Sequence, residues 1–112
     1  MENIKYILNL NKKIKLEYKL NKRHRRISEL IFRFNYISNS GITLTNKDRI
    51  FLKAIISNSL YYFCEKLKLK ELIDLMASRN KIQSCDTSND FILYFTKTEI
   101  IIIIKMLIMN IS

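Results

Sequence analysis

Proline is absent from this 112-residue chain, and glycine occurs once, at Gly41. A backbone with so little punctuation lacks the tight turns of a β-sandwich or barrel, and it has no glycine-rich loop to cradle phosphates. It can make long helices joined by a few polar connections, so the expected fold class is all-α. The length suits one domain. Hydrophobic residues make up 48%, too many for a disordered basic tail. Ile, Lys and Asn together supply 45 residues, a bias that AT-rich codons produce without any functional reason.

Apolar spacing places the helices. Ile27, Leu30, Ile31 and Phe34 make one stripe and predict a first helix from about Arg26 to Tyr36. It should stop in Ser38-Asn39-Ser40-Gly41, where glycine takes a positive φ at no steric cost. Gly41 to Leu44 reads as a short extended run. Thr45 or Asn46 then suits an N-cap, with Asp48 in the first turn favourable to the helix dipole. From there to about Ala77 nothing interrupts a helix of roughly 30 residues. Its apolar side chains cover most of the circumference, so it needs contacts on two sides. A polar stretch follows to Asp90, then a β-like piece from Phe91 to Phe95. Thr96 and Glu99 have capping-box spacing ahead of a last helix, about Lys97 to Met109. There Ile100, Ile103, Ile104 and Leu107 would face inward and Lys105 outward. On propensity alone, the five consecutive isoleucines would favour a strand.

Lys and Arg number 20 against 10 acids, a formal charge of +10. The excess is concentrated early: residues 1–33 hold ten cations and three acids, and Lys22-Arg23-His24-Arg25-Arg26 packs four fixed cations into five positions. Residues 1–25 read as a basic N-terminal arm, and residues 26–112 as the folded domain. The arm also carries Ile4, Ile7, Leu8, Ile14, Leu16 and Leu20. It could serve as a nucleic-acid tail, or as a helix lying on a partner or an anionic membrane. No signal peptide is apparent, and Ile100 to Met109 is about half the roughly 20 residues a membrane span requires.

Catalytic chemistry has little raw material here. Cys64, Cys85 and the lone His24 do not fall at metal-ligand spacing, and reduced thiols are the expected state. Glu65, Glu71 and Asp74 lie among Lys66, Lys68 and Lys70, the pattern of a solvated, ion-paired helix face. Neither an enzyme nor a cofactor is expected.

Short helix, long central helix and short helix, joined by loops, is the layout of the histone fold, and local matches accompany it. The stretch "SNSGIT" at 38–43 resembles the D-T-G-I-S loop of core histone H-two-B. "TKTEIIIIIKML" at 96–107 is similar to that family's T-S-R-E-I-Q-T-A-V-R-L-L, with Thr96, Glu99, Ile100, Lys105 and Leu107 on like residues. "NKRHRR" resembles its basic stretch before the first helix, and Phe63-Cys64-Glu65-Lys66-Leu67 its I-F-E-R-I. Parts of the chain, "RISELIFRFNY" at 26–36 and "IFLKAII" at 50–56, resemble H-two-A instead. The resemblance covers about residues 22–109. The second loop is about ten residues longer here, and the family's additional C-terminal helix has no counterpart.

The resemblance implies a histone-fold domain that pairs head to tail with a second histone-fold chain, H-two-A-like, and with further core-histone-like chains in a nucleosome-like particle. The partner would cover Leu52, Ile56, Leu60, Phe63 and Leu67. The first loop of one chain would lie beside the second loop of the other and meet the backbone of double-stranded DNA without sequence readout. Arg33, Lys47 and Arg49 near the first loop, and Arg79 and Lys81 near the second, would contact phosphates. Lys22, Arg23, Arg25 and Arg26 would run along the DNA or enter its minor groove. For this basic run a nuclear import signal or solvated charge remains open. The aromatic residues are expected in the core more than on base-stacking surfaces. The implied location is the nucleus, on chromatin, or viral DNA or a viral particle for a viral gene. Two other readings stay open: a histone-fold transcription-factor subunit, and a basic helical protein binding RNA or membrane.

Overall fold

A computed structural model describes residues 21–37, 41–83 and 91–111. Within them the apolar spacing becomes four helices and a two-stranded ribbon, a predominantly helical architecture. Residues 1–20, most of the expected arm, lie outside the described residues, as do Ser38 to Ser40 and Cys85.

Helix α1 is already formed at residue 21 and runs to residue 35. The expected start at Arg26 is therefore corrected: the basic run Lys22–Arg26 belongs to the helix, because lysine and arginine are good helix formers and nothing there breaks the pattern. Ile27, Leu30 and Phe34 are buried on its inner face. Arg23 donates to the carbonyl and side-chain oxygens of Asn110, at 3.4 and 3.5 Å, beyond the end of the last helix.

Gly41 has φ +80°, and strand β1, Ile42–Leu44, follows it. It pairs antiparallel with β2, Phe91–Leu93, with Ile42 opposite Leu93 and Thr43 opposite Ile92. Alternation sends Ile42, Leu44 and Leu93 into the core and leaves Thr43 and Ile92 outside. Thr45 caps α2, Asn46–Tyr62, its hydroxyl accepting from the Asp48 backbone N–H at 3.2 Å, as expected from the sequence.

The single long central helix does not form. Helix α2 ends at Tyr62, a 3-10 turn spans Cys64–Lys66, Leu67 is extended (φ −109°, ψ 142°), and α3 occupies Leu69–Gln83. Tertiary packing overrides helical propensity at this point. Reversal brings Leu75 and Ile82 of α3 back into the core beside Leu52, Ile55 and Ile56 of α2, and the extended Leu67 is itself buried. The new helix start is stabilised locally, the Glu71 carboxylate accepting from the Lys68 backbone N–H at 2.9 Å. Of the residues that a partner was expected to cover, Leu52, Ile56 and Leu67 are thus buried by the chain itself, while Ile50 of α2 and Leu69, Ile73 and Met76 of α3 stay exposed.

The final helix, α4 (Lys97–Met109), starts at the expected residue, with the Thr96–Glu99 capping box formed in full. Ile103 and Leu107 are buried, with Ile102 and Met106 beside them; Ile100 and Ile104 are half-buried. Lys105 points outward to Glu71 at 2.8 Å.

Glu99 does more than cap. It is 3% exposed. One carboxylate oxygen accepts from the Thr96 N–H at 2.8 Å and the Lys81 ammonium at 2.5 Å, and the other accepts from the Ser78 hydroxyl at 3.4 Å. Burial pushes its pKa up, but the Lys81 and Thr96 hydrogen bonds outweigh burial and hold it below the ordinary carboxylate value.

Two outcomes follow for stability. A folded pKa below the ordinary 4.5 means that the contribution of Glu99 is complete above that value and is lost as pH falls through the lowered one. Glu99→Gln should cost about 2 kcal/mol near neutral pH and flatten the acid limb of a urea-stability profile measured between neutral and acid pH. Gly41→Ala should cost about 2 kcal/mol or more, read from urea unfolding at neutral pH, because the site combines left-handed backbone with a close approach. An added Cβ would lie 2.6 Å from the Leu93 carbonyl oxygen and 2.9 Å from the Ile92 side chain.

Candidate nucleic-acid interface

Packing of α1 against the start of α2 sorts the expected DNA-contacting cations into distinct environments. Asp48, in the first turn of α2, lies 3.6 Å from the Arg26 guanidinium and 3.2 Å from that of Arg33. Arg33 also donates to the Thr43 carbonyl, which anchors α1 to β1. Arg26 lies over the Phe51 ring, 4.2 Å from its centroid. One carboxylate thus holds two arginines whose side chains remain 38% and 39% exposed.

Around this node the surface stays cationic. Lys22, Arg25 and Lys47 are exposed, and no interaction with another described residue occupies them. Lys47 and Arg26 border one shallow groove, and Arg25 and Arg33 border another. The structure therefore brings Arg25, Arg26, Arg33 and Lys47 to one junction, with Lys22 on the same helix as Arg25. Partial neutralisation by Asp48 leaves the cluster in excess of positive charge, and pre-positioned guanidinium groups lose less side-chain entropy on meeting a phosphate.

Other expected cations are engaged elsewhere. Arg23 reaches the C-terminal end of α4, where a cation favours the helix dipole. Arg49 is 3% exposed, so burial takes it out of the surface set. Lys81 is drawn to Glu99, to the Tyr94 carbonyl at 3.2 Å and to the face of Phe95. Arg79 is half-buried on α3. Of the two cations expected beside the second loop, Lys81 is thereby tied to the junction of α3 with α4.

Among the expected partner-facing residues, Leu52, Ile56 and Leu67 are buried within this chain, and Leu60 and Phe63 are half-buried. Cys64 is an exposed free thiol on the 3-10 turn. Among the described residues no helix is long and apolar enough to cross a membrane, and no group of side chains could hold a metal ion.

The expectation that the aromatics are mainly core needs correction. Phe34 is buried, and Phe51, Phe63 and Phe95 are half-buried, but Phe32 and all four described tyrosines are exposed. Helical geometry explains Phe32 and Tyr36: spaced four apart, they lie away from the Ile27, Leu30 and Phe34 stripe. That offset was readable in the sequence. The role of Asp48 was not, because it depends on how α1 docks against α2. No protein-family model, curated protein or solved structure matches this chain.

Proposed function

We propose that this protein binds nucleic acid through the phosphate backbone, without reading sequence, using the cationic junction of α1 and the start of α2. One observation carries the reading: Arg26 and Arg33 are held in place by Asp48 while Arg25 and Lys47 remain exposed beside them. The formal charge of +10 adds long-range attraction to a polyanion.

A narrower reading, DNA packaging as the histone-like half of a heterodimer, rests on the sequence resemblance and requires the pairing of β1 with β2 to be exchanged between chains. These are the segments that a head-to-tail pair would bring together from two chains. Here they meet within one chain, which the reversal after Tyr62 permits. In the narrower reading a partner replaces the intrachain contacts; in the broader one the folded monomer binds by itself. Sedimentation of the purified chain, alone and co-expressed with H-two-A-like partners, separates the two.

Binding through phosphates should fall steeply with salt, with a log–log slope near −0.9 for each phosphate neutralised on duplex DNA. Changing Lys22, Arg25 and Lys47 together to Ala should make that slope shallower by about two to three units and leave sequence preference unchanged. The three sites are exposed, so thermal stability should move by less than about 1 kcal/mol. An unaltered slope would remove these cations from the interface.

A further inference from the structure

The outer face of α1 combines two chemistries that duplex binding does not require together. Lys22, Arg25 and Phe32 on α1, and Tyr36 in the turn directly after it, lie on the side opposite the buried Ile27, Leu30 and Phe34. Phe32 is 63% exposed and Tyr36 75%. Their rings form a tilted pair, with centroids 4.7 Å apart and planes at 45°. No described element covers these two rings.

We propose that Phe32 and Tyr36 form a stacking platform for unpaired bases, so that the preferred ligand is a single-stranded nucleic acid whose backbone runs along Arg25 and Lys22. This inference rests on the phosphate-binding reading and narrows its ligand. The complementary surface must carry negative charge and flat apolar faces together, and a single strand offers both at every nucleotide. A duplex offers phosphates but hides its base faces inside the stack. A second copy of α1 is disfavoured by charge, since residues 21–37 hold five Lys or Arg and one acid. That acid, Glu29, is exposed on the same face between Arg25 and Phe32. Arg25 and Arg33 flank it at four-residue spacing, which offsets its repulsion of phosphate.

The test compares two fluorescein-labelled probes of equal length, an oligothymidylate strand and a mixed-sequence duplex, binding the full chain in an anisotropy titration. The double variant Phe32→Ala/Tyr36→Ala should weaken single-strand binding by about tenfold or more and leave duplex binding within about twofold. Both residues are exposed, so its thermal melt should match that of the parent chain. The protein has no tryptophan, so Phe32→Trp supplies a unique fluorophore. Its emission should be quenched by the single strand and little changed by the duplex.

Equal weakening of both probes, or of neither, overturns the stacking platform. The variant lacking Lys22, Arg25 and Lys47 keeps the two readings apart. If it loses affinity for both probes while the aromatic variant loses none, phosphate binding stands and only the platform fails. If it loses affinity for neither, the phosphate-binding reading fails as well.

Discussion

The Glu99 carboxylate places a negative charge where water barely reaches, and three groups from two elements converge to compensate it. Lys81 and Ser78 approach from α3, and the Thr96 backbone approaches from the segment that joins β2 to α4. A buried carboxylate tolerates little displacement of its partners, since each lost hydrogen bond leaves charge without hydration. Glu99 thereby fixes the residue at which α4 begins and the position of α3 against it. The position of β2, three residues before Thr96, follows from that anchor, and with it the register against β1. Glu71 and Lys105 join the same two helices a second time, in a more exposed setting where solvent screens the pair.

How far the fold could be read from sequence depends on the range of the interactions that decide each part. Thr96 and Glu99 interact across three residues, so the start of α4 was legible, as were the Thr45 cap and the positive φ at Gly41. The five isoleucines formed a helix despite their β propensity, because the capping box fixes its start and the core buries Ile102 and Ile103. The reversal between Tyr62 and Leu69 was not legible from apolar helical spacing. Two local signals were present there: Tyr61-Tyr62-Phe63, a run of weaker helix formers, and Lys66-Leu67-Lys68-Leu69-Lys70, which alternates at the period of an extended chain. Neither required a break, and the long-range burial of Leu75 and Ile82 decided it.

The same distinction applies to the candidate interface. A run such as Lys22–Arg26 advertises charge, but the fate of each cation depends on acids and carbonyls brought close by folding. Asp48 gathers Arg26 and Arg33, Asn110 takes Arg23, and burial takes Arg49. Among the expected DNA-contacting cations, Lys22, Arg25 and Lys47 remain outward without a described partner, a selection made by tertiary structure. Asp48 serves both sides of that selection: it occupies the favourable first turn of α2 and orients two guanidinium groups that stay accessible.

The β1–β2 ribbon has a consequence for the order of events in folding. Its strands are three residues each and lie roughly fifty residues apart in the chain, so their pairing closes a long loop for few hydrogen bonds. Contacts between neighbouring helices close much shorter loops and are reached sooner. The helices are therefore expected to associate first, with the ribbon registering only once α4 has been seated. Before that step, two short strand edges remain unpaired and open to other chains, a hazard greatest in concentrated solution.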